Sequence, residues 1–142
     1  MFSDVEGSTR RWENDADAMR AALAAHDAVL AEAIEAHGGF MFKHTGDGVC
    51  AAFSSPRAAV DAAIAAHGSL ELPVRMGIAT GEAELRGADY FGAVLNRAAR
   101  VMAATPTPGS KLRGNKFLEL DARHLIHSCH SGRRAFEVTC AL

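Results

Sequence analysis

Phe40-Met41-Phe42-Lys43-His44-Thr45-Gly46-Asp47-Gly48-Val49-Cys50-Ala51-Ala52-Phe53 holds two short apolar runs on either side of Thr-Gly-Asp-Gly. Asp-Gly between such runs marks a hairpin, because both residues tolerate the positive φ of a tight turn. Strands are therefore predicted at Phe40–His44 and at 49–53. Upstream, Met19, Leu23, Leu30 and Ile34 fall four, seven and four residues apart. That spacing predicts one helix from residue 12 to about 37, stopped by Gly38-Gly39. Residues 1–5 read as a short strand. Downstream, Ser54 or Ser55 can cap a helix that opens with Pro56 and runs to about residue 67. Residues 73–80 are the next strand, and 82–85 are expected to return against it, with Gly81 at the bend. Tyr90-Phe91-Gly92 leads into a helix from about residue 93 to 104.

The order β-α-β-β-α-β followed by a helix is that of an α+β, ferredoxin-like βαββαβ sandwich. In that arrangement the third strand pairs antiparallel beside the first. The end of strand one then meets the start of strand three, and Asp4 and Asp47 occupy those places. Two carboxylates distant in sequence should converge at one sheet edge.

The chain has 142 residues, enough for one domain, with about half apolar and 23% charged. No window approaches a membrane span, and the N-terminus lacks the pattern of a signal peptide. Three cysteines are too few for a disulfide framework, and a reducing, cytoplasmic setting is expected. A net charge of −2 argues against a general nucleic-acid binder. Charge is uneven: residues 1–104 hold nine Lys and Arg against fourteen Asp and Glu, while 105–142 hold six against three.

Two acidic groups close together repel unless something positive lies between them. Magnesium or manganese with oxygen ligands is the usual answer. Taken singly, Asp4 reads equally well as a cap for the next turn and Asp47 as a turn residue. As a converging pair they favour metal. Between the first strand and the first helix, Glu6-Gly7-Ser8-Thr9 is a small-residue turn whose main-chain amides can face an anion. No Walker-type loop is present, which argues against a P-loop NTPase.

Phe2-Ser3-Asp4-Val5-Glu6-Gly7-Ser8-Thr9 resembles the first metal motif of class III adenylyl and guanylyl cyclases, in the form of bacterial, especially mycobacterial-type, members. Lys43-His44-Thr45-Gly46-Asp47-Gly48 is similar to their second motif. Asp89-Tyr90-Phe91-Gly92-Ala93-Val94-Leu95-Asn96-Arg97-Ala98-Ala99-Arg100 is similar to their third. The three motifs stand in order and span about 100 residues. The resemblance implies an adenylyl cyclase that converts ATP to cyclic AMP and pyrophosphate. Asp4 and Asp47, with the Val5 carbonyl, would bind two divalent ions, Mg²⁺ or Mn²⁺. Glu6, Gly7, Ser8 and Thr9 would lie at the substrate. Asn96 would orient the ribose and Arg100 would offset charge on the transferring phosphate. Lys43 and Asp89 would read the base. Adenine offers an acceptor at N1 and donors at N6; a lysine only donates and a carboxylate only accepts, so this pair suits ATP over GTP. In the family the metal aspartates come from one subunit and the other four side chains from its partner. The resemblance thus implies a homodimer with its sites at the subunit interface.

The chain departs from the family pattern at both ends: little of strand one precedes Phe2, and the likeness stops near Ala104. An incomplete catalytic domain over 1–104 is expected, with a divergent tail of poor order over 105–142, unrelated or frame-shifted, carrying one short helical turn near 117–125. His124, His127, Cys129, His130 and Cys140 in that tail fit no closed zinc spacing. The alternative to an active enzyme is an inactive truncated remnant that at most binds nucleotide or dimerises. A diguanylate cyclase is disfavoured, because the hairpin lacks a Gly-Gly-acidic-Phe signature. Trp12, Met19, Leu23, Leu30 and Ile34 are expected in the core. Met76, Ile78, Val94, Leu95 and Val101 are expected in the core or at the dimer interface. His26, His37 and His67 are expected on helix surfaces, and Cys50 as a small buried hydrophobe.

Overall fold

A computed structural model describes residues 1–104 and the backbone of 136–139. Its elements are β1 (Phe2–Val5), α1 (Ser8–Asn14), α2 (Ala16–Ala36), β2 (Phe40–His44), β3 (Val49–Ala52), α3 (Pro56–Ser69), β4 (Val74–Gly77), β5 (Thr80–Arg86), β6 (Asp89–Phe91), α4 (Ala93–Ala104) and β7 (Phe136–Thr139). The main sheet has the order β2-β3-β1-β4 and is antiparallel throughout. This is the split βαβ arrangement of an α+β fold, with β1 between β3 and β4.

Side chains on β1 alternate between two environments, as a pleated strand requires. Val5 and Val74 pack with Met19 and Leu72 in one buried cluster, against which Trp12 and Leu23 also lie. Phe2 and Asp4 point to the other face, opposite Gly77 and Arg75. A Cβ on Gly77 would lie 2.4 Å from the Ala98 carbonyl oxygen, so α4 packs directly on β4 and only glycine fits between them. The larger core joins Leu30 and Ile34 of α2 to Val49, Ala51 and Phe53, and to Ala59, Ala62 and Ala66 of α3. It continues through Ile78 to Val94 and Ala98 of α4.

Four expectations need correction. The first helix is two helices, because Asp15 adopts an extended backbone and its side chain accepts from the Ala18 amide as an N-cap. The apolar period runs on past this break, so spacing alone does not reveal it. The strand after Gly81 does not return against β4; β5 pairs with β6 and β7 in a separate sheet. Residues 136–139 form a strand, with Thr80 opposite Thr139 and Ala83 opposite Phe136. His26 is 2% exposed rather than a surface residue. Its Nδ1 lies 2.9 Å from Asp27 Oδ1, and its buried Nε2 has no partner among the described residues. Cys50 is buried, as expected. The remaining tail positions, with their histidines, Cys129 and Cys140, lie outside the described residues, as does the short helical turn near 117–125. Among the described residues no helix is long and apolar enough to cross a membrane.

Candidate functional site

The end of β1 and the turn before β3 are held together by main chain. The Val5 amide donates to the Asp47 carbonyl at 3.2 Å, and the Val49 amide donates to Ser3 Oγ at 3.1 Å. Gly48 lies so close to β1 that a Cβ there would be 1.9 Å from the Ser3 carbonyl oxygen. Asp4 and Asp47 are thereby fixed as neighbours along the backbone. Topology brings them together, as the order of the elements predicts.

Their side chains have different surroundings. Arg75 Nη2 donates to Asp4 Oδ2 in an ion pair, with both side chains partly buried. Asp47 has no side-chain hydrogen bond or ion pair among the described residues. Arg75 was not legible as a site residue: it reads as one polar position in an apolar strand. The signal that would find it is register, since Asp4 and Arg75 are direct cross-strand partners.

The donors here are hard oxygens, from Asp4, Asp47 and the Val5 carbonyl, which suits Mg²⁺ or Mn²⁺. Arg75 supplies one positive charge to the two carboxylates, so a net negative charge remains at this edge for a cation. No cluster of three or more His, Cys, Asp or Glu side chains able to hold a metal occurs among the described residues. Two carboxylates suffice where substrate phosphates and waters complete the shell, as is common for Mg²⁺. The site fits such an ion on these grounds.

Gly7 precedes α1 at φ +67°, in the left-handed region, and supplies no side-chain cap. The Glu6 amide donates to the Pro73 carbonyl at 2.9 Å, which ties the turn to the start of β4. Ser8 is half-buried, while Gly7 and Thr9 are exposed.

On the far side of the hairpin, the β2–β3 register shifts between Met41 and Lys43. An extra residue in one strand re-aims the side chains that follow it. Lys43 Nζ meets Asp89 Oδ2 of β6 at 2.6 Å. The hydrogen bond and the charge of Asp89 raise the Lys43 ammonium above its ordinary value. The Lys43 hydrogen bond lowers Asp89, helped by the Tyr90 amide donating to Asp89 Oδ1 at 2.9 Å. Phe42 and Tyr90 back this pair edge to face, their centroids 5.0 Å apart.

Asn96 and Arg100 stand four residues apart on α4, and both are exposed. Neither is hydrogen bonded or ion paired to Asp4, Asp47, Lys43 or Asp89. Between them Arg97 turns back, its Nη1 donating to the Thr80 carbonyl at 3.2 Å and pinning α4 to β5. Within one chain, then, two groupings form, Asp4 with Asp47 and Lys43 with Asp89. Asn96 and Arg100 are presented outward.

No family model matches the chain. It is 35% identical over 105 residues to an uncharacterised protein of Mycobacterium tuberculosis, covering 71% of this chain and 37% of that protein. It is 31% identical over 135 residues to the adenylate cyclase of Lachancea kluyveri, covering 71% of this chain and 7% of that protein. The chain thus spans little more than a third of the mycobacterial relative and a small fraction of the yeast one. Among solved structures, the adenylate/guanylate cyclase/hydrolase of Silicibacter pomeroyi superposes with a TM-score of 0.65 at 28% identity, covering 74% of this chain and 68% of that one. An adenylate cyclase of Trypanosoma brucei, solved in its monomeric state, shares the fold with a TM-score of 0.67 at 24% identity, covering 75% and 68%.

Proposed function

Because the chain belongs to the class III adenylyl/guanylyl cyclase catalytic domains, we propose that it converts ATP to 3′,5′-cyclic AMP and pyrophosphate. The observation that supports an adenine-reading cyclase best is the meeting of Lys43 and Asp89, 46 positions apart, at 2.6 Å. A donor and an acceptor held side by side match N1 and N6 of adenine. Against guanine they would set donor to donor and acceptor to acceptor and strand buried polar groups, a mismatch that can cost a factor of about 10⁴.

The reaction forms a bond from the ribose 3′-oxygen to the α-phosphorus and breaks the bond from that phosphorus to the bridging oxygen. Pyrophosphate leaves with the electron pair, and the 3′-hydroxyl proton is lost. Divalent ions held by Asp4, Asp47 and the Val5 carbonyl would supply Lewis acidity to the 3′-oxygen and the phosphates. Glu6, Gly7, Ser8 and Thr9 would line the triphosphate, with small residues that let backbone amides approach it. Asn96 would fix the ribose, and Arg100 would meet charge developing at the α-phosphate, a role commonly worth about 3 kcal/mol. Their outward placement on α4 favours action across an interface, in a two-fold homodimer with two equivalent sites.

The test is cyclic AMP formation by purified protein with ATP and Mn²⁺, beside Asp47→Ala and with GTP in place of ATP. Product from ATP that disappears in the variant is the expected result. A folded protein that makes no product would favour the second reading, a nucleotide-binding or dimerisation module.

A further inference from the structure

We infer that Arg75 competes with a divalent cation for the Asp4 carboxylate and holds down the cation affinity of the nucleotide-free chain. This rests on the reading of Asp4 and Asp47 as metal ligands. Register enforces the competition. Asp4 and Arg75 are directly opposed on β1 and β4. Their neighbours Val5 and Val74 are committed to the buried cluster on the other face. Neither charged side chain can change faces without inverting its strand.

The pair also has the marks of an exchangeable contact. An arginine that serves only to bridge a carboxylate commonly engages it through two parallel bonds. Here a single Nη2 contact reaches Oδ2, and the buried Nε–H has no acceptor among the described residues. The guanidinium is under-satisfied, so exchanging its partner sacrifices little.

The two carboxylates are therefore unequal. Asp47 has no cationic partner among the described residues, while Asp4 carries one. With Arg75 in place the two carboxylates and the guanidinium sum to one negative charge rather than two. A bare cation entering the site meets a weaker field and a like charge beside it. A triphosphate brings its own negative charge and offsets the guanidinium. The site then fills with a metal–nucleotide complex in preference to metal alone.

Mn²⁺ titrated into nucleotide-free protein, with free Mn²⁺ followed by electron paramagnetic resonance, tests this without reference to turnover. Arg75→Met is expected to bind Mn²⁺ at least about tenfold more tightly than the parent. Arg75→Gln, which keeps a donor for Asp4 but no charge, carries the same expectation and serves if the methionine variant does not fold by circular dichroism. Arg75→Lys should stay close to the parent. Adding Asp4→Asn to Arg75→Met should erase the gain. Folded neutral variants that bind no more tightly, or a gain that survives Asp4→Asn, overturn the inference. Absence of Mn²⁺ binding in every variant removes the metal site itself. Absence of cyclic AMP with the Mn²⁺ shift intact removes only the proposed activity.

Discussion

Lys43 Nζ donates to Asp89 Oδ2 at 2.6 Å, so a strand-end cation is joined to an acid on a different sheet. The bulge in β2 aims the lysine, and the Phe42–Tyr90 contact supports the pair from behind.

This pair should keep base selection constant across neutral pH. Asp89 is depressed, so its contribution is present above the ordinary carboxylate value of 3.8 and fades as pH falls through the lowered one. Lys43 is raised, so its contribution is present below the ordinary 10.5 and fades as pH rises through the higher value. Both groups stay charged from about pH 5.5 to about pH 9. The ratio of initial rates with ATP and GTP should be flat over that window. A several-fold drift would mean that another titrating group reads the base.

Reversing the pair should reverse its preference. Lys43→Glu combined with Asp89→Lys presents an acceptor to N1–H and a donor to O6 of guanine. The ATP to GTP ratio in kcat/KM is expected to fall by at least about tenfold. Since Lys43 is exposed and Asp89 half-buried, and the double variant keeps one charge of each sign, thermal stability should change little, and a melting curve checks that.

Complementation tests the interface. If Asp47 acts from one protomer and Arg100 from the other, Asp47→Ala and Arg100→Ala are each inactive alone. An equal mixture forms half heterodimers, each with one whole site, and should recover about a quarter of parental activity. Activity that stays at zero after subunit exchange would show that both residues serve the same protomer's site.

Two glycines should respond in opposite directions to alanine. At Gly48 the added carbon meets the Ser3 carbonyl oxygen at 1.9 Å, and separating β1 from the turn should cost about 3 kcal/mol. Gly68 lies inside α3 with nothing within 4 Å of its Cβ position. Alanine there should stabilise by up to about 1 kcal/mol. Urea unfolding of the two variants distinguishes these outcomes.

Sequence was most informative where a local signal and a long-range one agreed. The Thr-Gly-Asp-Gly turn and the Ser55-Pro56 helix start are both found as predicted, with Ser55 Oγ accepting from the Ala58 amide at 3.1 Å. The neighbourhood of Asp4 and Asp47 followed from topology alone. Three kinds of feature were not legible. Asp15 breaks a helix without disturbing its apolar period. β6 is three residues long, below the length at which alternation can be read, and β7 is set by its pairing with β5, far away in sequence. Arg75 and His26 owe their settings to partners in space: the first to strand register, the second to burial of a polar ring on a helix whose neighbours are mostly alanine.

The chain has one tyrosine and one tryptophan, and the fold sets them in different places. Tyr90 lies edge to face with Phe42 beside Lys43 and Asp89. Trp12 packs against the cluster that holds Val5, the residue next to Asp4. Each aromatic is thus an intrinsic optical probe of one grouping. Tyrosine near-ultraviolet dichroism should follow events at the Lys43–Asp89 end, and tryptophan emission should follow events at the Asp4 end. The two can be recorded in a single unlabelled sample.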